Sequence, residues 1–185
     1  MKRKIITITG DIASGKSTVT EELVKRLGYE RYSNGKYFRK LAIEYGMDVT
    51  SFGKYVEKHP EIDKSIEEKT KEYALNHDEL IIDARLGFYS VPDSFKVYLK
   101  VDLDVGAKRA FEDSKRKDTE NFSSIEMQKK DIETRYELEN KRYKNIYGVD
   151  RSDLSQYDLV VDTTDKTYEE TAKIILDKYN DWISN

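Results

Sequence analysis

The sequence predicts an α/β fold, a central and mainly parallel β-sheet flanked by helices, within a single domain spanning residues 1–185. Three observations carry that reading. Four short runs rich in β-branched or apolar residues alternate with segments of helical period. A glycine-bearing loop of defined spacing joins the first run to the first helix. Only two Pro and nine Gly leave little material for long connections. A chain of this length buries roughly 70% of its unfolded surface, so it needs neither disulfides nor a structural metal.

Each element has a local cause. Ile5-Ile6-Thr7-Ile8-Thr9 is a β-branched run closed by Gly10, a buried strand. Val19, Leu23 and Leu27 recur every four residues over a helix from about 17 to 27, and Gly28 supplies its stop. Residues 34–46 read as helix ending at Gly46. Pro60 suits the first turn of a helix with Ile62, Ile66 and Tyr73 on one side. Leu80-Ile81-Ile82-Asp83 is a second strand, 95–101 a third with apolar residues alternating, and 159–161 a fourth. Helices are expected over about 104–112, 122–147 (stopped by Gly148) and 166–182. Two stretches, 47–59 and 113–121, are polar enough to read as mobile flaps. The fourteen Tyr recur on these stripes and strands as packing residues, and His59 and His77 read as surface residues.

Composition narrows the function. Lys and Arg number 33 against 36 Asp and Glu, a net charge of −3, which argues against a nucleic-acid partner. With no Cys there is no disulfide, zinc–thiolate site or thiol nucleophile, and two His are too few for a histidine metal site. Lys2, Arg3 and Lys4 resemble the start of a signal peptide, but the apolar stretch behind them ends at Gly10. No run approaches the roughly 20 apolar residues that span a bilayer. A cytoplasmic monomer with no membrane partner is expected.

Gly10-Asp11-Ile12-Ala13-Ser14-Gly15-Lys16-Ser17, followed by Thr18, matches the phosphate-loop pattern G-x-x-x-x-G-K-S/T between a strand and a helix. Gly10 and Gly15 let backbone N–H groups turn toward phosphate oxygens, and the helix start adds its positive end. Lys16 reaches β- and γ-phosphates, and the Ser17 hydroxyl suits Mg²⁺. The pattern implies a nucleoside triphosphate without saying what becomes of it. A GTPase would carry a guanine-reading Asn-Lys-x-Asp after a strand, but Asn140-Lys141 runs on into Arg142-Tyr143 within a helix. A small kinase fits the length best.

A kinase needs a second constellation that holds an acceptor in line with the γ-phosphate. Three places could supply it: Asn34 to Arg39, Asp83-Ala84-Arg85 at the carboxyl end of a strand, and Arg135, Glu139 and Arg142 on the long helix. On that helix Ile132, Tyr136, Tyr143 and Tyr147 form an apolar stripe in which Glu139 falls, with Arg135 and Arg142 along one edge. An Arg135–Glu139 ion pair one turn apart on a solvated face would account for the same pattern.

Together these motifs resemble the cytidylate kinases, a branch of the nucleoside monophosphate kinases, and most closely their short archaeal-type members. The matching pieces are Ile8 to Thr18, Asn34-Gly35 with Phe38-Arg39, Asp83-x-Arg85, Arg135-x-x-x-Glu139-x-x-Arg142, Tyr143 with Ile146 to Asp150, and Tyr157 to Thr163. The resemblance implies a P-loop NTP-hydrolase fold that phosphorylates CMP or dCMP with ATP and Mg²⁺. It implies that Arg39, Arg85 and Arg142 hold the acceptor's phosphate, that Arg135 and Glu139 hold its sugar, that Asn34 touches the acceptor, and that Asp83 sits beside the metal and the reacting phosphates. A core of 1–32, 79–112 and 123–185, an acceptor-binding flap of about 33–78 and a lid of about 113–122 follow. Lys115, Arg116 and Lys117 belong to that lid, and Arg109, which begins it, binds ATP.

The pattern departs from the family at Leu86 and Lys64, where many bacterial members carry an acid and an arginine that read cytosine. Ala84 replaces a usual glycine and Gly106 a usual arginine. These positions leave the base of the acceptor open. The alternatives are a P-loop kinase for a different small acceptor and an ATP-binding sensor without turnover.

Overall fold

The computed structural model describes residues 2–113 and 122–184. Five parallel strands lie in the order β2-β3-β1-β4-β5: β1 is Ile5–Gly10, β2 Glu30–Ser33, β3 Leu80–Asp83, β4 Phe95–Lys100 and β5 Leu159–Asp162. β1 lies at the centre, Ile8 beside Asp83 of β3 on one side and Val97 of β4 on the other. A parallel strand here is covered on both faces, and every residue of β1 is buried. Its two threonines satisfy their hydroxyls inside, Thr7 with the Ser94 hydroxyl at 2.9 Å and Thr9 by donating to the Ala84 carbonyl at 3.0 Å.

One face of the sheet packs Ile6, Ile8, Ile81, Val97 and Leu99 against α1 (Lys16–Leu27) and α8 (Tyr168–Ser184). The other face meets α4 (Pro60–Asn76) through Ile5, Leu80, Ile82 and Ala74. Beside it Leu86, Tyr98, Tyr143 and Tyr157 form a further cluster with α5 (Gly87–Ser90) and α7 (Ile125–Tyr147). The expected helix ends hold where a capping device was visible: Gly28 and Gly148 adopt left-handed backbone and donate to Val24 and Lys144 carbonyls. Where caps were overlooked the ends move. α7 starts at Ile125 because Ser124 accepts from the Met127 amide. α8 starts at Tyr168 because Thr167 and Glu170 cap one another's amides, at 2.8 and 3.2 Å.

Two expectations need correcting. The stretch 47–59 is not a purely polar connection: it contains α3 (Val49–Glu57), capped by Asp48, with Phe52 and Val56 fully buried. Val49, Phe52 and Val56 keep helical spacing beneath polar neighbours, and Phe52 and Val56 close a core with Ala42 and Phe38 of α2 (Asn34–Glu44). β2 also went unseen, because Glu-Arg-Tyr-Ser has no apolar alternation; as an edge strand it needs none. α6 (Leu103–Glu112) starts one residue early, capped by Asp102. The lid expected over about 113–122, with Lys115, Arg116 and Lys117, lies outside the described residues save for its two ends.

Gly10 closes β1 at φ +152°, and a Cβ there would stand 2.3 Å from the Leu99 carbonyl oxygen and 2.8 Å from its amide nitrogen. Both are backbone atoms of the neighbouring strand and have no rotamer to escape into. Gly10→Ala is expected to cost about 3 kcal/mol, lowering the melting temperature by roughly 8 °C. A fall of under 2 °C would show that the two strands separate freely at this point.

Candidate active site

Gly10 ends the central strand, so the loop that follows sits at the carboxyl edge of the sheet, at the point where strand order reverses. The first half of the loop is bound downward. Asp11 accepts from the Tyr98 hydroxyl at 2.6 Å and the Val101 amide at 3.0 Å, and Ile12 is buried against Ala107, Ala110 and Ile132. The second half opens upward: Ala13 and Gly15 have positive φ, 61° and 84°, and α1 begins at Lys16. Of the residues expected to touch the triphosphate, Ala13, Ser14, Gly15, Lys16, Ser17 and Thr18 line a cavity of about 1000 Å³. Gly10, Asp11 and Ile12 do not; they fasten the loop to the sheet. Lys16 lies over the loop and donates from Nζ to the carbonyls of Gly10 (3.2 Å) and Asp11 (2.8 Å).

The Ser17 hydroxyl donates to Asp83 Oδ2 at 3.2 Å. A hydroxyl and a carboxylate side by side, at the mouth of a phosphate loop, are the hard oxygen donors Mg²⁺ takes while keeping its remaining positions for phosphate and water. The residues therefore fit the ion. Asp83 also accepts from Ser33 and Arg31, each at 3.4 Å, which fixes its carboxylate at the end of β3.

The residues expected to hold an acceptor converge on the same cavity from three places: Asn34 and Arg39 from α2, Arg85 after β3, and Arg135, Glu139 and Arg142 from α7. Their pairing differs from the simple intrahelical pair. Arg135 stands 3.7 Å from Asp131, one turn earlier on α7. Glu139 joins Arg85 and Arg151, both at 3.1 Å. Arg142 pairs with Asp63 of α4 at 2.5 Å, both nearly inaccessible, and donates to the Gly53 carbonyl of α3 at 3.3 Å. Burial alone would raise the Glu139 carboxyl, but Arg85, Arg151, Arg135 and Arg142 hold it down to about 2. Its contribution to stability is therefore present above the unfolded carboxyl value of about 4.3 and fades as pH falls toward 2.

Arg109 also lines the cavity and donates to the carbonyls of Thr163 and Thr164, each at 3.0 Å. Three functional candidates escaped the sequence reading. Asp63 and Glu67, four residues apart on α4, both face the cavity. Arg151 is fully buried and steadies Glu139 from behind, with Asn140 accepting from its Nε at 2.8 Å. The two positions expected to govern base choice are elsewhere: Leu86 is fully buried beneath Tyr98 and Tyr143, and Lys64 is exposed on the outer side of α4 and does not line the cavity.

Comparison with known proteins fits this geometry. The model of the cytidylate kinase-like family matches residues 5–165. The cytidylate kinase of Thermoplasma volcanium is 38% identical over 95% of this chain and 91% of its own. The S-adenosylmethionine-dependent nucleotide dehydratase of Lacinutrix mariniflava is 37% identical over 97% of this chain, which spans 36% of that protein. Among solved structures, shikimate kinase from Bacteroides thetaiotaomicron superposes with a TM-score of 0.62 at 14% identity, over 96% of this chain and 98% of that one. Among the described residues no helix is long and apolar enough to cross a membrane. With a P-loop at the edge of a five-stranded parallel sheet and a matching family model over most of its length, the chain belongs to the cytidylate kinase-like family of P-loop kinases.

Proposed function

We propose that the protein transfers the γ-phosphoryl group of ATP to a nucleoside monophosphate, CMP or dCMP, giving ADP and CDP or dCDP. The observation that carries this reading is the meeting of Arg39, Arg85 and Arg142, from three separate elements, with the phosphate loop in one cavity. Two polyanions repel one another, and a site that brings them into line must cancel that repulsion on both sides of the transferring group. Guanidinium forks suit the acceptor's phosphate oxygens. Lys16 and the upward-facing loop amides neutralise charge on the γ-phosphoryl group as it moves. Ser17 and Asp83 hold Mg²⁺, which supplies further charge neutralisation when bound. Arg135 and Glu139 take the acceptor's sugar, where a carboxylate accepts from ribose hydroxyls, and Arg109 takes the donor nucleotide. The protein works on small nucleotides as a cytoplasmic monomer.

The test is ADP formation from Mg-ATP with CMP, dCMP, UMP, AMP and GMP offered separately. Turnover led by CMP or dCMP is expected. Turnover led by another acceptor would keep the kinase and discard the base, and ATP binding without turnover on any of them would overturn the proposal.

A further inference from the structure

Leu86 and Lys64 do not line the cavity, so the acceptor's base must be recognised by something else. On the cavity wall beyond the acceptor arginines, Glu67 has no ion pair among the described residues. Glu67 lies on α4 one turn after Asp63, and the two share the cavity-facing side of the helix. Asp63 is taken by Arg142. Glu67 is instead held by neutral donors: the Ser90 hydroxyl donates to Oε2 and the Asn34 side-chain amide to Oε1 at 3.5 Å. Asn34 is itself fixed, its Oδ1 accepting from Thr70 at 3.0 Å. A carboxylate carries about four acceptor positions, so two remain for a ligand. Ile66, the neighbour of Glu67 on α4, and Phe38 of α2 also line the cavity and supply apolar surface of the kind a flat ring requires.

We propose that Glu67 reads the hydrogen-bonding edge of the acceptor's base and selects an amino-bearing base over its oxo-bearing counterpart. The inference rests on the acceptor being a nucleotide. Cytosine presents an exocyclic amino group, which a fixed carboxylate accepts from. Uracil presents a carbonyl oxygen at the same position, and two acceptors facing one another in a dry site lose a hydrogen bond and repel. Asn34 is then a positioning residue that sets the angle of the carboxylate, and Ser90 shares that task.

Steady-state kinetics with the full chain separate the possibilities. Wild type and Glu67→Gln are compared at pH 8 with CMP and UMP as acceptors. A glutamine amide turns over to offer either its carbonyl or its NH₂ group and so accommodates both bases. The ratio of kcat/KM for CMP over UMP is expected to fall about tenfold or more in the variant, through the acceptor KM, with the ATP KM unchanged. A second measurement needs only wild type. Burial pushes the Glu67 carboxyl up to about 7, against the opposing Ser90 bond and with Asp63 adding to it. The other ionisable groups facing it are Lys71 on its own helix, Tyr32 from β2 and Tyr147 from α7. Protonated Glu67 can donate to the uracil oxygen, whereas the ionised form cannot, so the CMP-to-UMP ratio should rise between pH 6 and pH 8, and stay level in Glu67→Gln. Turnover of CMP with a ratio indifferent to pH in wild type, or unchanged by the substitution, overturns the assignment of Glu67 and leaves the kinase standing. Absence of turnover by wild type on any nucleoside monophosphate overturns both.

Discussion

Lys16→Ala should lower turnover about a thousandfold while leaving the fold in place. A single fixed donor at a developing negative charge is worth two to three powers of ten in a dry site, and Lys16 adds a full charge. Its structural share is small. It donates to two carbonyls of the loop, at 2.8 and 3.2 Å, and an intramolecular hydrogen bond contributes about 1 kcal/mol net. The loop itself is fastened by other contacts, Asp11 to Tyr98 and Val101 and Gly10 against Leu99. The measurements are kcat and a thermal melt of the same preparation. A well-folded variant that keeps a tenth of wild-type turnover would remove Lys16 from the reaction.

Arg142→Ala should act on the acceptor and on stability together. Removing one member of a buried, hydrogen-bonded charge pair from a binding site costs about 2–5 kcal/mol in affinity. The acceptor KM is therefore expected to rise about a hundredfold, with the ATP KM held within threefold. The substitution also leaves Asp63 buried and without its guanidinium partner. An uncompensated buried charge costs about 3–5 kcal/mol of folding free energy. The double variant with Asp63→Asn separates the two effects, since it should recover most of the stability and none of the acceptor affinity. Equal rises in both Michaelis constants would mean that Arg142 does not belong to the acceptor side.

The parts of the molecule written in local signals were legible in the sequence. The phosphate loop is one, because its eight consecutive residues carry the whole strand–loop–helix turn in one local pattern, and the four strands with apolar runs are another. α3 was hidden because three buried residues, Val49, Phe52 and Val56, carry its whole apolar face within a polar stretch interrupted by Gly53. β2 was hidden because an edge strand can be stabilised by its backbone pairing to β3 alone. Asp63 and Glu67 do not stand out among the many charges of their helix; a signal was available, since they share the face of Ile66 and Thr70, but a carboxylate on a buried face makes sense only once its partners are known. Arg151 gave no signal at all. Its environment is assembled from Tyr136, Glu139 and Asn140, residues its own neighbourhood in the sequence does not contain. Helical spacing did place Arg135, Glu139 and Arg142 on one side of α7, yet the partners that decide their roles, Asp131, Arg85 and Asp63, lie partly on other elements.

Arg85, Arg142 and Arg151 each stand within about 3 Å of a carboxylate, and Arg135 slightly farther from its own. Charges cancelled over so short a distance project little field beyond the protein surface, and the chain as a whole carries only −3. These four arginines therefore add little long-range attraction for anionic ligands, and what they contribute is made in contact. Discrimination falls to departure: the correct acceptor is the one whose contacts, made after entry, keep it bound long enough to react.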